Sequence, residues 1–279
     1  MLLPAVRQPP LNAPLQILVP LQSKPIQSTP QNRYNFPKRE STEKSGKTMK
    51  TIGLIGGMSW ESSIEYYRII NQTVRDRLGG VHSAKSLMYS VDFAEIELLQ
   101  HQGRWEEATA MMVDAASRLE RGGADFVVIC TNTMHRMAED VQNAVQIPLL
   151  HIADATADCV RAAGMKTVGL LGTRFTMEQD FYRGRLVDKH GLAVLTPDEQ
   201  GREAVHRVIY DELVVGKVLP ESRAKFAEII TGLAERGAQG IILGCTEIGL
   251  LVRQEDSPVP LFDTTRVHAE AAVRLALGG

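Results

Sequence analysis

The chain lacks an excess of positive charge, an apolar run long enough to cross a bilayer, and more than a few cysteines. Its 31 Lys and Arg residues stand against 33 Asp and Glu, a formal net charge of -2. The electrostatic footprint of a phosphate-backbone binder is therefore missing, which argues against a nucleic-acid partner. No apolar stretch reaches the length of a membrane span, which argues against insertion in a membrane. Cys130, Cys159 and Cys245 are an odd count without CxxC spacing. That argues against a disulfide framework and a structural zinc site, and it fits a reducing, cytoplasmic setting with no bound metal. Taken singly, each cysteine reads first as a small buried hydrophobe. A phosphate-binding loop is also missing: the SGKT at Ser45 to Thr48 has no strand before it and carries Ser41 where that motif needs glycine.

With 279 residues and 44% apolar content, the chain can form one large or two small domains. Residues 1–48 differ from the rest, being rich in Pro, Gln and Asn and without helix or strand period, so they are expected to be a disordered extension. The segment's basic residues and few acids match transit peptides, which leaves organellar targeting open, but its prolines oppose the amphipathic helix such peptides form. The favoured reading takes Met49 as the natural start, because Glu43 to Lys47 can be written in purine-rich codons like those of a bacterial ribosome site.

From Met49 onward, apolar runs such as TIGLIGG, DFVVIC, TVGLLG and GIILGC alternate with amphipathic stretches, the pattern of βαβ units around a parallel sheet. Two strings recur. IGLIGGMS is echoed by VGLLGTRFT, and GADFVVICTNT by GAQGIILGCTE, each roughly 115 residues later, the mark of an internal duplication. The echo puts Thr131 and Cys245 at equivalent places, each at the carboxyl end of a central strand in its own half. Open α/β sheets bind ligands outside those strand ends, and a cleft between domains suits a small molecule. Two proton-carrying side chains on opposite walls of one cleft are what inversion at a carbon requires, since the proton leaves one face and returns to the other.

From Met49 to its end the chain resembles the aspartate/glutamate racemase family. The motifs GLIGGMSWES, CTNTMH, LGTRFTMEQDFYRGRL, GCTEIGLL and FDTTRVHAE carry the likeness, and they look like its bacterial branch of L-aspartate/glutamate-specific or broad-specificity amino-acid racemases. The resemblance implies an α/β fold of two pseudo-symmetric Rossmann-like domains, each a parallel sheet flanked by helices, with the active site in the cleft between them. The expected division is residues 49–152 with 266–279 in one domain and 153–265 in the other. It also implies a cofactor-independent isomerase with an amino-acid substrate, assembled as a homodimer. Both catalytic positions are cysteine in most of the family, whereas the first here is Thr131. Cys130 is no substitute, because neighbouring side chains on a strand face opposite ways and place it in the core.

The α-hydrogen of an amino acid is a very weak acid, so its removal without pyridoxal phosphate needs a preorganised site. No strand-end motif supplies the lysine which that cofactor would require. Cys245 is expected to approach thiolate through the amides of the helix opened by GCTE. Thr131, a far weaker acid, must pass its proton through a neighbour or water, and one direction should be slow. Asn132 and Thr133 follow the first catalytic position and Thr246 and Glu247 the second, all placed to hold substrate. The resemblance adds Met58 and Ser59 at the first strand end, and Gln100 after the second strand. Their plain readings are a glycine-rich turn and a solvated helix residue. In REAVHRVIYDELVVGK the stripe Val205, Val208, Ile209 continues onto Glu212 at helical spacing, which turns a carboxylate inward toward a substrate amine. Val214 stands where aspartate-selective members carry lysine, against strict dicarboxylate selectivity. Arg104, Arg174 and Arg183 read as surface or paired residues, and His135 as a structural hydrogen-bonder. Two other readings stay open: a single-cysteine maleate isomerase or decarboxylase, and an amino-acid-binding module without turnover.

Overall fold

The computed structural model describes residues 48–278. The expected extension, residues 1–48, therefore lies outside the described residues except for Thr48. Strands and helices alternate through the first half: β1 Ile52–Gly56, α1 Trp60–Leu78, β2 Ser86–Ser90, α2 Phe93–His101, α3 Trp105–Arg121, β3 Phe126–Ile129, α4 Ala138–Ala144 and β4 Leu149–Leu150. The second half repeats the scheme: α5 Ile152–Ala162, β5 Thr167–Gly172, α6 Arg174–Glu178, β6 Ala193–Leu195, α7 Glu199–Asp211, α8 Pro220–Glu235, β7 Ile241–Gly244, α9 Ile248–Leu251, β8 Leu261–Asp263 and α10 Thr264–Ala276.

Each half holds one four-stranded parallel sheet, with orders β2-β1-β3-β4 and β6-β5-β7-β8. The same registers recur, Gly53 opposite Val127 in one sheet and Gly169 opposite Ile241 in the other. The central strands β1, β3 and β7 are buried along their whole length, which is why they read as unbroken apolar runs. In each order the chain reverses direction across the sheet at the central pair, β1/β3 and β5/β7. The crevice outside the carboxyl ends of those pairs is where such sheets take ligands.

Packing crosses the halfway point of the sequence. Ala269, Ala272, Val273 and Ala276 of α10 share one apolar cluster with Ile52, Leu54, Phe126 and Val128 of the first sheet. Ile152, Ala157 and Val160 of α5 belong instead to the core of the second half. Cys130 sits fully buried in the cluster that holds α10, behind β3. Among the described residues no helix is long and apolar enough to cross a membrane, and no group of His, Cys, Asp and Glu is arranged to hold a metal ion.

Candidate active site

The first wall begins at the end of β1. Gly57 has φ +91, and a Cβ there would stand 2.2 Å from the Val91 carbonyl oxygen, so only glycine makes this turn. Behind it Ser59 caps α1, and Met58 faces the cavity. At the end of β3 the chain bends at Thr131 and Asn132 and then forms a 3₁₀ turn, Thr133–Met137, before α4. His135 in this turn fixes the bend. Its Nδ1–H donates to the Thr131 carbonyl at 2.8 Å, and its Nε2 accepts from the Ile152 amide at 3.2 Å. His135 is the structural hydrogen-bonder that its residue type suggests.

The second wall is built the same way from other residues. After β7, Cys245, Thr246 and Glu247 form a turn ahead of the four-residue helix α9. The Cys245 thiol donates to Glu247 Oε2 at 3.0 Å, and the Thr246 hydroxyl donates to the same oxygen at 2.8 Å. Glu247 Oε1 accepts from the Ser59 hydroxyl of the other half at 2.9 Å. The equivalent crossing on the other side joins Thr133 and Thr173, whose hydroxyls are 3.1 Å apart, with Thr176 next in line at 3.3 Å. Asn132 Nδ2 donates to the Thr264 hydroxyl at 3.0 Å.

Between the walls lies a cavity of about 30 Å³. Met58, Phe93, Gln100, Thr131 and Thr133 line it from the first half, and Thr173, Ile209, Tyr210, Val214, Cys245 and Glu247 from the second. Thr131 and Cys245 thus face one space, as the duplication leads one to expect. That space has room for only about two water molecules, so an amino acid fits only after the walls part. Further contacts hold them together. The Tyr210 hydroxyl donates to Gln100 Oε1 at 3.0 Å, and the Trp105 and Phe175 rings meet edge-on at 5.1 Å. Arg136 lies 4.4 Å over Trp105 and donates to Gln179.

Electrostatics at the site differ from the sequence expectation. Burial, then the charge of Glu247 and its hydrogen bond, push the Cys245 thiol well above its ordinary range. The amides of Thr246 and Glu247 do pull it down, as GCTE predicts, but burial and the adjacent carboxylate outweigh them. In this closed arrangement Cys245 is a thiol, not a thiolate. Burial likewise raises Tyr210, so its phenol stays protonated.

Several candidates lie elsewhere than expected. Glu212 does not face the cavity: α7 ends at Asp211, the backbone turns at Glu212 (φ -125, ψ -62), and the carboxylate accepts from the Ser222 hydroxyl at 2.6 Å. Ser59, Asn132 and Thr246 are buried but do not line the cavity, each engaged in the hydrogen bonds just described. Phe93, Thr173, Ile209 and Tyr210 line it without having been singled out as ligands. For Thr173 a signal existed, because the duplication aligns it with Gly57 in the first strand-end turn. Arg104 pairs with Glu107, Arg174 with Glu178 and Glu203, and Arg183 is exposed.

A family model described as Asp/Glu/hydantoin racemase matches residues 55–272. A Bacillus subtilis (strain 168) protein named broad specificity amino-acid racemase RacX is 26% identical over 168 residues, 60% of this chain and 72% of that one. Among solved structures, a Yersinia pestis protein assigned to the Asp/Glu racemases is 56% identical, with a TM-score of 0.77 over 82% of this chain and 100% of the other. An aspartate racemase homologue from Pyrococcus horikoshii OT3 is 34% identical, with a TM-score of 0.72 over the same shares. With two matching sheets, one cavity at their strand ends and a family model spanning both halves, the chain belongs to the Asp/Glu/hydantoin racemase family.

Proposed function

We propose that the protein is a cofactor-independent amino-acid racemase working by two-base proton transfer at Cα. The observation that carries this reading is that Thr131 and Cys245, from equivalent strand ends of the two halves, line one cavity. Cys245, as thiolate, removes the α-proton from one face, and the Thr131 side supplies a proton to the other. The Thr131 hydroxyl is too weak an acid to act alone. Thr133, hydrogen-bonded to Thr173, places further hydroxyls on the same wall to share the developing charge. Met58 and Gln100 shape the first wall against the substrate, and Glu247 is the one carboxylate on the lining available to a substrate amine. Because enantiomers have equal free energy, the kcat/KM values for the two must be equal, and any preference shows as kcat and KM moving together.

The substrate is L-aspartate, L-glutamate or a broader set of amino acids. The broader set is favoured by Val214 on the lining and by the lack of lysine or arginine among the lining residues. Incubation of L-aspartate, L-glutamate and L-homoserine in heavy water, followed by NMR and chiral chromatography, tests the proposal. Deuterium should enter the α-position with loss of optical purity. A one-cysteine isomerase or decarboxylase would leave the α-position of these amino acids unlabelled, and a binding module would bind them without any exchange.

A further inference from the structure

A second cavity, of about 330 Å³, lies where the two halves join and shares no lining residue with the first. Glu139 and Gln142 of α4 line it from the first half, His151 from the turn before α5, and Arg185 from the helical turn Arg185–Lys189. We propose that this cavity binds a free amino acid as its zwitterion, and that occupancy acts on the Thr131 wall through His151 and His135. The binding stands apart from the racemase reading, while its effect on turnover rests on that reading.

Two donors there are built and left over. Arg185 is fixed in place, since Nε and Nη2 donate to Asp154 at 2.7 and 2.8 Å, and Asp154 also holds Lys189 and His190 at 2.8 Å each. Its Nη1 has no partner among the described residues, which suits a carboxylate oxygen. His151 is 6% exposed, and its Nδ1 accepts from the Ala153 amide at 3.2 Å, so the ring hydrogen sits on Nε2. That Nε2–H has no partner among the described residues, and a buried donor on a cavity lining calls for an acceptor. Burial and the nearby Arg185 keep the ring neutral, so it donates without adding charge. On the α4 side the exposed Glu139 carboxylate has no ion-pair partner among the described residues, and it suits an ammonium. Arg185 and Lys189 balance Asp154 and Glu139, so the site carries separated charges without a net one. A zwitterion matches that pattern, whereas a plain anion would meet Glu139 as a repelling charge. The volume lies in the range of pockets that hold small molecules.

The route to the other cavity is short. The His151 ring lies 4.6 Å from that of His135, which donates to the Thr131 carbonyl and accepts from the amide of Ile152, the residue after His151. A ligand held on His151 Nε2 therefore bears on the same few residues that fix Thr131. It also ties α4 of the first half, through Glu139, to Arg185 of the second. The walls of the catalytic cavity part only if the halves move, so a bridged junction slows that motion.

Glycine, an achiral zwitterion, is the probe, with N-acetylglycine lacking the ammonium and glycinamide lacking the carboxylate. Ring 1H–15N correlation spectra of ¹⁵N-histidine protein read binding at His151. Its signal should shift saturably with glycine, and each control should bind about tenfold more weakly or less, the scale of a lost charged hydrogen bond. Glu139→Gln and Arg185→Gln should each weaken glycine by about tenfold as well. Glu139 is exposed, so its variant carries the test if Arg185→Gln fails to fold. Turnover is read by α-deuterium exchange at saturating levels of the L-amino acid that the parent exchanges fastest, where competition in the catalytic cavity is overcome. Glycine should lower kcat there by about fivefold in the parent and leave Glu139→Gln unchanged. An unmoved His151 ring, a control that binds as well as glycine, variants that bind as the parent does, or an unaltered kcat would overturn the proposal. If the parent exchanges no amino acid, the racemase reading fails, and the His151 titration by itself still decides whether the site takes a zwitterion.

Discussion

The two halves share strand order, register and the placing of a cavity-lining residue just past a central strand, but not the chemistry around it. The second half ends β7 in Cys-Thr-Glu, a thiol bonded to a carboxylate. The first ends β3 in Thr-Asn-Thr, hydroxyls bonded to hydroxyls. Behind the first strand end stand three buried histidines: His135, whose ring lies 4.6 Å from His151 and 5.7 Å from His268. The residue equivalent to His135 in the second half is Gly249, where a Cβ would stand 3.0 Å from Asp263 Oδ2. A duplicated scaffold has thus kept its backbone geometry while one copy carries a thiol against a carboxylate and the other a wall of hydroxyls.

Replacing the reactive residue tests that asymmetry most severely. Cys245→Ala should lower α-deuterium exchange by about 10³-fold or more, as loss of an acid–base group at its full scale does. Exchange within tenfold of the parent would mean the second half is not the chemical one. At the level of stability the halves should behave alike. Phe126→Ala in the first core and Phe226→Ala in the second, both fully buried, should each cost about 3–5 kcal/mol in urea unfolding. A cost confined to one variant would show unequal cores. Making the halves more alike is a gentler change: Thr131→Cys should raise turnover of the D-isomer about tenfold by circular dichroism assay, and no gain with either enantiomer would remove the role given to Thr131.

The smallest effect concerns the histidines. Burial pushes His151 down to about 3 and His268 to about 4, and holds His135 well below its usual value. A depressed histidine stays neutral when folded but takes up a proton when unfolded below pH about 6.5, so stability is full above that pH and declines as pH falls toward 4. The expected slope is about 1.4 kcal/mol per pH unit for each such histidine. Urea midpoints between pH 7 and 5 measure it, and His268→Asn should flatten the decline. An unchanged slope in that variant would mean the ring titrates normally in the fold.

The fold was legible because its information is local: buried parallel strands write themselves as apolar runs, and the duplicated strings fix which strands correspond. That Thr131, Cys245, Thr133 and Glu247 line one cavity was legible for the same reason, since they lie one to three residues past those strands. Phe93 and Tyr210 were not, because whether a helix residue looks into a cleft depends on how two halves pack, which no short stretch records. Glu212 shows the limit directly. The apolar stripe of α7 points at it only if the helix continues, and the helix stops one residue earlier. The state of Cys245 failed differently: the amides were foreseeable from GCTE, but the opposing charge lay two residues on, and its orientation is set by Ser59 from the other half.

The path of α10 has a consequence for the order of assembly. Because Ala269, Ala272, Val273 and Ala276 cover the same face as Ile52, Leu54 and Phe126, the half synthesised first keeps an uncovered apolar face while the second is being made. A nascent chain can seal its earlier lobe only once Thr264–Ala276 leaves the ribosome, so the beginning of the protein waits on its end.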